Sequence, residues 1–569
     1  MKRTGAQLIW EVVTREGVDT IFGYPGGAIM PAYDALLDYK IHHVLTRHEQ
    51  GASHAADGFA RASGQVGVCI ATSGPGATNL VTGIATANMD SSPIVCITGQ
   101  VGSSVIGKDA FQECDITGIT QPITKHNYLV TNAEDIVRVL REAFYVARSG
   151  RPGPVLVDIT KDAQNQEVEF SWSDEPVRLR GYRPDLSALP KEFDRALALL
   201  KDAKRPIILA GQGVIMSGAE TALLKFVETN DVPVALTLLG LGSLPATHPS
   251  NLGMMGMHGE AWVNEAIQEA DLLLAFGMRF DDRVTGDLAT YATHAKKVHI
   301  DIDPAEIDKN VKVDVGIVGD LRTTLNTLNE RLPSRQRTTW NAHITELRSE
   351  AEQRDILLAE DDGNLYAARV IHELRKLTGD DAIIVTDVGQ HQMWEAQYYP
   401  HNRPRTLITS GGLGTMGFAL PAAIGATFGN PDAEVWVIAG DGGFQMTACE
   451  LQTCKQEGLN IKIVLINNGF LGMVRQWQEM FYDKRYSSTP ISSPDFVKLA
   501  EAHGLTGAMV DSRDKIVDAI QTAQRTPGTH LIEFRVVAED AVYPMVPTGK
   551  ALHKMIRRPN RKPAIRQDT

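Results

Sequence analysis

The stretch VWVIAGDGGFQM (residues 435–446) decides how this chain is read. A run of β-branched and apolar residues climbs to Ala439 and breaks into Gly-Asp-Gly-Gly. Such a short, unbroken apolar run bounded by glycines is the pattern of a parallel strand covered on both faces. The residues after Gly443, FQMTACELQTCKQEG, read as one helix closed by Gly458, and a second apolar run, IKIVLIN (461–467), ends in Asn-Asn-Gly-Phe. A strand–helix–strand crossover is right-handed, so Asp441 and Asn468 are expected side by side at one edge of a sheet. Open α/β sheets bind ligands at that edge. A carboxylate, an amide oxygen and a main-chain carbonyl are hard donors that suit Mg²⁺ or Ca²⁺, not zinc. A Mg²⁺ site with few protein ligands completes its shell with phosphate oxygens and water. Gly440, Gly442 and Gly443 clear the side chains that a diphosphate would otherwise meet at a helix N-terminus.

The same alternation extends over the whole chain. VGVCIAT (66–72), PIVCIT (93–98), PVLVDI (154–159), PIILAG (206–211), DLLLAFG (271–277), KVHIDI (297–302), AIIVTD (382–387), EVWVIAG (434–440) and IKIVLIN read as strands between amphipathic helices. That rhythm implies βαβ units and parallel sheets. Polar stretches at 161–185 and 332–364 divide the chain into three doubly wound α/β domains, 1–165, 186–335 and 365–569. A length of 569 residues requires several cores. The basic end GKALHKMIRRPNRKPAIRQDT (549–569) is expected to be solvated, with a lid over bound anions as the other option.

The net charge of −13 argues against a nucleic-acid partner, which would need a basic face. No apolar run approaches the roughly 20 residues of a membrane span. The N-terminus, MKRTGAQLIWEVVTREG, has no apolar core of a signal peptide, so a cytoplasmic location is expected. Cys69, Cys96, Cys114, Cys449 and Cys454 are odd in number and lack zinc spacing. They are expected as buried free thiols, with Cys449 and Cys454 on one helix.

Gly-Asp-Gly, then a helix, then Asn-Asn resembles the signature of thiamin diphosphate enzymes. The resemblance implies that Asp441, Asn468 and the carbonyl of Phe470 hold Mg²⁺ on the cofactor diphosphate, beside Gly440, Gly442 and Gly443. It also implies a carboxyl, carried by another domain, that hydrogen-bonds the cofactor's pyrimidine ring. Glu49, in VLTRHEQGASHAADGFARASG (44–64), matches that position. A carboxyl shielded from water tends to keep its proton, which helps it donate. GYPGGAIMP (23–31) and TSGPGATNL (72–80) match loops that line the substrate approach. SGGLGTMGFALPAAIGA (410–426) is similar to the segment that shapes the cofactor, with Met416 as the bulky residue wedged beneath it. In the family the Glu and the metal site come from different subunits, so a homodimer or homotetramer is implied.

At AFGMRFDDRVTG (275–286), HIDIDPAEI (299–307) and NNGFLGMVRQWQEMFY (467–482) the chain resembles the catalytic large subunits of acetolactate synthases. That family decarboxylates pyruvate and joins the two-carbon unit to a second 2-oxo acid, pyruvate or 2-oxobutyrate, in branched-chain amino acid biosynthesis. The resemblance makes Arg283 the clamp on the acceptor carboxylate, a task a guanidinium performs with two parallel hydrogen bonds. It makes Trp477 the apolar wall for the acceptor's alkyl group. Phe111, Gln112, Lys161, Met257, Met473 and Val474 match positions around the substrate channel, with Gln112 and Lys161 grouped with Glu49 and Met416 as catalytic. The middle domain resembles the family's FAD-binding domain through HGEAWVNEAIQEADLLLAFGMR (258–279) and DIDPAEIDKNVKVDVGIVGD (301–320). His258, Arg279, Asp301 and Asp320 are then cofactor contacts, joined by Arg151 from the first domain. The glycine loop GQGVIMSG (211–218) is not GxGxxG and carries little by itself.

Simple decarboxylases of the superfamily carry a His pair well after the Glu. Here His42-His43 precede Glu49, and DAFQECD (109–115) stands at the corresponding depth. That favours ligation over release of free aldehyde. Another decarboxylase or a flavin oxidase of the superfamily, and a non-catalytic scaffold, are the competing readings. The family's large subunits often work with a small regulatory subunit, and nothing in this chain resembles such a regulatory domain.

Overall fold

The computed structural model describes residues 1–184, 190–332, 334–358, 362–538 and 540–559. The expected domain boundary at 186 and residues 560–569 of the basic end lie outside the described residues.

Three six-stranded parallel sheets form the protein. The first contains, in chain order, Thr20–Gly23, His42–Leu45, Gly67–Ala71, Ile94–Gln100, His126–Val130 and Val155–Thr160. The third contains Ile383–Thr386, Leu407–Thr409, Val435–Gly440, Ile461–Asn467, Thr506–Val510 and His530–Arg535. Both sheets place these strands in the same spatial order, second-first-third-fourth-sixth-fifth. The middle sheet, from Pro206–Ala210 to Val315–Val318, has the order third-second-first-fourth-fifth-sixth. That is the doubly wound order of dinucleotide-binding sheets. All nine expected strands are present. Their apolar runs follow from helices on both faces: Val435 to Ala439 are at most 1% exposed.

The first and third sheets share one apolar core, which runs from Cys69 and Cys96 to Val437 and Leu465. Helix Glu49–Ser63 and helix Ala419–Gly429 form the seam. Small residues let these helices touch backbone to backbone. A Cβ on Gly58 would lie 2.0 Å from the Ala422 carbonyl oxygen, and one on Gly425 would lie 1.8 Å from that of Ala55.

The sequence expectation fails at one place near the site. The segment after Gly443 is not a single helix. Helix Asp441–Thr447 gives way to a 3₁₀ turn, Ala448–Glu450, before helix Leu451–Gln456. The turn aims Glu450 at the first domain, where its carboxylate accepts from the backbone N–H of Arg47 (3.0 Å) and His48 (3.2 Å). Cys449 sits on this turn and is exposed, contrary to its expected burial; Cys69, Cys96 and Cys454 are buried, and all five thiols are free.

The polar stretches also carry structure. Glu167–Glu169 pairs antiparallel with Lys2–Thr4, and helix Thr338–Glu352 packs Trp340 and Ile344 into the middle domain's core. Among the described residues no helix is long and apolar enough to cross a membrane.

The seam makes a direct prediction. Gly425→Ala forces a methyl into a carbonyl oxygen and should destabilise the protein by about 3 kcal/mol, the upper range of overpacking. Gly379→Ala meets nothing within 4 Å and should stay within about 0.5 kcal/mol of the parent. Thermal unfolding of the two variants checks the contrast.

Candidate active site

Strands Val435–Gly440 and Ile461–Asn467 are direct neighbours, with Gly440 opposite Ile466. Asp441 and Asn468 therefore leave the sheet at adjoining positions, as the crossover required. They line a small cavity of about 60 Å³ together with Gly440, Gly442, Gly443 and Phe470. Asp441 is 1% exposed, and burial pushes its carboxyl up to about 6. Its Oδ2 accepts from the N–H of Gly469 at 3.1 Å and, at 3.4 Å, from the Ser493 hydroxyl. No cationic side chain is among those partners, so the buried charge lacks compensation. Asn468 Oδ1 accepts from the Phe470 N–H at 3.0 Å, while its Nδ2 donates to Gln390 Oε1 at 3.3 Å.

The glycines are sterically required. A Cβ on Gly440 would stand 2.9 Å from the His391 ring, and one on Gly443 would stand 2.5 Å from Asp387 Oδ1. His391, which lines the same cavity, was not legible in the sequence as a site residue. It is buried, its Nε2 has no partner among the described residues, and desolvation pulls its ring down to about 4, so it is neutral at pH 7. A neutral imidazole nitrogen without a partner, beside an uncompensated carboxylate and a cradle that only glycine fits, matches an anionic group bound through a divalent ion. Among the described residues no group of three or more His, Cys, Asp or Glu side chains could hold a metal. A metal here would instead draw on one carboxylate, one amide and one carbonyl.

A second cavity of about 1150 Å³ adjoins the first, sharing Val388, Gly389, Met416, Met473 and Val474 with it. Met416 thus stands at the junction. Arg283, Trp477 and Met257 come together in this chamber: the Arg283 guanidinium lies 5.7 Å from the centre of the Trp477 ring and contacts Met257 Sδ at 3.3 Å. A cation over an aromatic face is an attractive pairing, and the Arg283 Nε also lies 3.7 Å from the Asp282 carboxylate.

The chamber continues along the carboxyl edge of the middle sheet, past Gly213, Gly277 and Arg279 at the switch between its first and fourth strands. Asp301 and Asp320 line it as well. One oxygen of Asp320 is already used as a helix cap, accepting from the Thr323 N–H at 2.8 Å. Arg151 reaches in from the first domain and pairs with Glu306 at 2.7 Å and Asp303 at 3.2 Å. His258 is neutral, pulled down to about 4 by burial, and its Nδ1 lies 3.2 Å from the Pro544 carbonyl oxygen.

Glu49, Phe111, Gln112 and Lys161 line neither cavity. Glu49 opens its helix at the carboxyl edge of the first sheet, and its Oε2 accepts from Asn79 Nδ2 at 2.9 Å. Gln112 lies over the TSGPG turn, its backbone 2.8 Å from a Cβ built on Gly74, with φ +60°. Phe111 is 87% exposed, and Lys161 is exposed at the start of a short helix. The predicted residues therefore form two groups within one chain, one at the edge of the first sheet and one spanning the other two sheets, with Arg151 reaching into it from the first domain.

Comparison with known proteins places the chain in one family. The chain matches the thiamine pyrophosphate enzyme N-terminal TPP binding domain over residues 3–119, the central domain over 193–328 and the C-terminal TPP binding domain over 387–534. It is 50% identical to an acetolactate synthase large subunit of Corynebacterium glutamicum, over 97% of this chain and 89% of the relative. It is 45% identical to a probable acetolactate synthase large subunit of Methanocaldococcus jannaschii, over 99% and 97%. The chloroplastic acetolactate synthase 1 of Nicotiana tabacum is 48% identical over 97% of this chain.

Two substitutions test the small cavity. Asp441→Ala should weaken thiamin diphosphate binding in Mg²⁺ by at least about 100-fold, the scale of a lost charge contact in a dry site. His391→Ala should weaken it by about tenfold, as for one neutral hydrogen bond. Titration calorimetry of both variants reads the order of the two effects.

Proposed function

Because the chain belongs to the acetolactate synthase large-subunit family of thiamine pyrophosphate enzymes, we propose that it decarboxylates pyruvate and ligates the resulting two-carbon unit to a second 2-oxo acid. The products are 2-acetolactate from pyruvate and 2-aceto-2-hydroxybutyrate from 2-oxobutyrate, the branched precursors of valine, leucine and isoleucine. The observation that carries this reading is the meeting, at Met416, of the Asp441–Asn468 cavity with the chamber of Arg283 and Trp477. A cofactor diphosphate at the first and an acceptor acid at the second would be within reach of each other.

Thiamin diphosphate, when bound, supplies the electron sink that lets a 2-oxo acid lose CO₂. Asp441, Asn468 and the Phe470 carbonyl would hold Mg²⁺ against the diphosphate, and His391 Nε2 would complete the cradle. Met416 would press on the cofactor from below. Glu49 would hold a proton on Oε1 at the pyrimidine nitrogen. Its Oε2 is already engaged by Asn79, and Gly76 leaves the space beside Oε1 open, a built Cβ standing 3.3 Å away.

Arg283 would fix the acceptor carboxylate, and Trp477 would pack against its alkyl group. Ligation requires that the two-carbon unit meet the acceptor before a proton does. Burying the acceptor against Trp477, Met473 and Val474 excludes the water that would deliver one. Phe111, Gln112 and Lys161 would close the channel from the first domain.

Among the described residues Glu49 lines neither the cavity of Asp441 nor the chamber beside it, which supports sites built between two copies, in a homodimer or homotetramer. The exposed Phe111 ring is consistent with a surface that a second copy covers. FAD would be held in the large cavity by Arg151, His258, Arg279, Asp301 and Asp320. The strand order of the middle sheet and the cavity at its switch point support that assignment. The ligation is net non-redox, so the flavin's role would be mainly structural. The relatives' description as large subunits supports a smaller regulatory partner. The domain limits 1–165, 186–335 and 365–569 are proposed on the same footing, as pyrimidine-binding, FAD-binding and diphosphate-binding units.

Incubation with pyruvate, thiamin diphosphate, Mg²⁺ and FAD should yield acetolactate as the main product. Acetaldehyde, acetyl phosphate or peroxide in its place would overturn the reading. Glu49→Gln should lower kcat by at least about 100-fold, as for loss of a positioned proton donor, and leave diphosphate affinity nearly unchanged. In competition between pyruvate and 2-oxobutyrate, Trp477→Leu should reduce the preference for 2-oxobutyrate by about tenfold, the worth of packing one methylene. An unchanged product ratio would remove Trp477 from acceptor choice.

A further inference from the structure

The segment Thr409–Ala419 carries Met416 and contains Gly411, Gly412, Gly414 and Gly417. Gly414 and Gly417 have φ of +71° and +85°. So many glycines give the chain conformational freedom, and a segment that must present one side chain at a fixed height needs restraint from outside. Half of that restraint is local. Asp387, at the end of strand Ile383–Thr386, accepts from the Gly417 N–H at 3.0 and 3.1 Å, and the Thr447 hydroxyl donates to the Gly417 carbonyl at 2.9 Å.

The other half comes from the first domain. Asp90, 1% exposed, accepts from the N–H of Gly411 at 3.0 Å on Oδ2 and of Gly412 at 2.6 Å on Oδ1. Arg61, 7% exposed, forks onto Asp57 at 2.7 and 3.0 Å, bridges to Asp90 at 2.9 Å and donates to the Thr409 carbonyl at 2.6 Å. The Thr86 and Thr415 hydroxyls are 2.7 Å apart. Gly412 fits because it has no side chain: a Cβ there would lie 2.7 Å from Asp90 Oδ1. A buried ion cluster of this kind contributes little net stability compared with apolar packing, yet it fixes geometry closely. Within the segment, Leu413 and Met416 line the large cavity beside Ser410, Gly411, Gly412 and Gly414, and Met416 lines the small one as well.

We propose that Arg61, Asp90 and Thr86 are positioning residues for the reaction: from the first domain they set the height at which Met416 meets the cofactor, without touching it. The proposal rests on Met416 acting as the wedge, as read above. Arg61 lies near the end of the 15-residue helix that Glu49 begins. One rigid element thus carries the proton-holding carboxyl at one end and the wedge's restraint at the other.

The test uses the full-length enzyme loaded with thiamin diphosphate, Mg²⁺ and FAD. Asp90→Asn keeps the shape of the side chain and removes its charge; Thr86→Val removes one hydroxyl and is the variant to rely on if Asp90→Asn folds poorly. Per bound cofactor, Asp90→Asn should lower kcat about tenfold and Thr86→Val about threefold. Both should raise the share of acetaldehyde over acetolactate and leave half-saturation by thiamin diphosphate within about threefold of the parent. A merely structural cluster would lower the unfolding temperature and leave kcat per bound cofactor and the product ratio unchanged. That result in both variants would overturn the proposal. Met416→Ala separates the two possible failures. If it shifts rate and ratio while Asp90→Asn and Thr86→Val do not, the restraint is disproved and the wedge stands. If Met416→Ala is itself neutral, the wedge reading falls and the proposal with it.

Discussion

The organisation of this protein follows from one buried carboxylate that has no positive partner among the described side chains. Asp441 follows directly on a strand buried from Val435 to Ala439, and removing its charge from water is costly unless a cation compensates it. The surrounding features make sense as consequences. Two neighbouring parallel strands bring an amide oxygen and a carbonyl alongside it, and glycines keep side chains out of the space above. An imidazole whose Nε2 has no partner among the described residues faces the same hollow. Each would be a defect in a plain structural turn, and together they describe a mould for an ion and the anion it bridges.

The repetition of one strand order in the first and third sheets gives the molecule two equivalent carboxyl edges per chain. The third sheet's edge carries Asp441 and Asn468 and the first sheet's edge carries Glu49. The two are linked through the broken helix that starts at Asp441, because its 3₁₀ turn inserts Glu450 into the turn just before Glu49. The middle sheet differs in order and contributes the wall of the large chamber. Its Arg283 meets Trp477 of the third domain across that chamber.

Much of this was legible in the residues, and the limits have physical causes. Fully covered strands must be apolar and β-branched, so their positions stood out. The crossover rule then fixed Asp441 and Asn468 as neighbours without any coordinates. Spatial strand order, by contrast, is not written in local pattern, and the dinucleotide order of the middle sheet emerged only in three dimensions. His391 sits in an ordinary helical stretch, QHQMWEAQY, where nothing local marks it. Arg61 and Thr409 are 348 residues apart, so no spacing rule could have paired them. The single helix expected after Gly443 failed for the same reason, since its break serves a contact with a distant turn.

The glycine-lined seam between helices Glu49–Ser63 and Ala419–Gly429 has a mechanical consequence. Two lobes locked main chain against main chain have no hinge between them, so within one chain the first and third domains move as one body, and the edge that carries Glu49 keeps its place relative to the edge that carries Asp441.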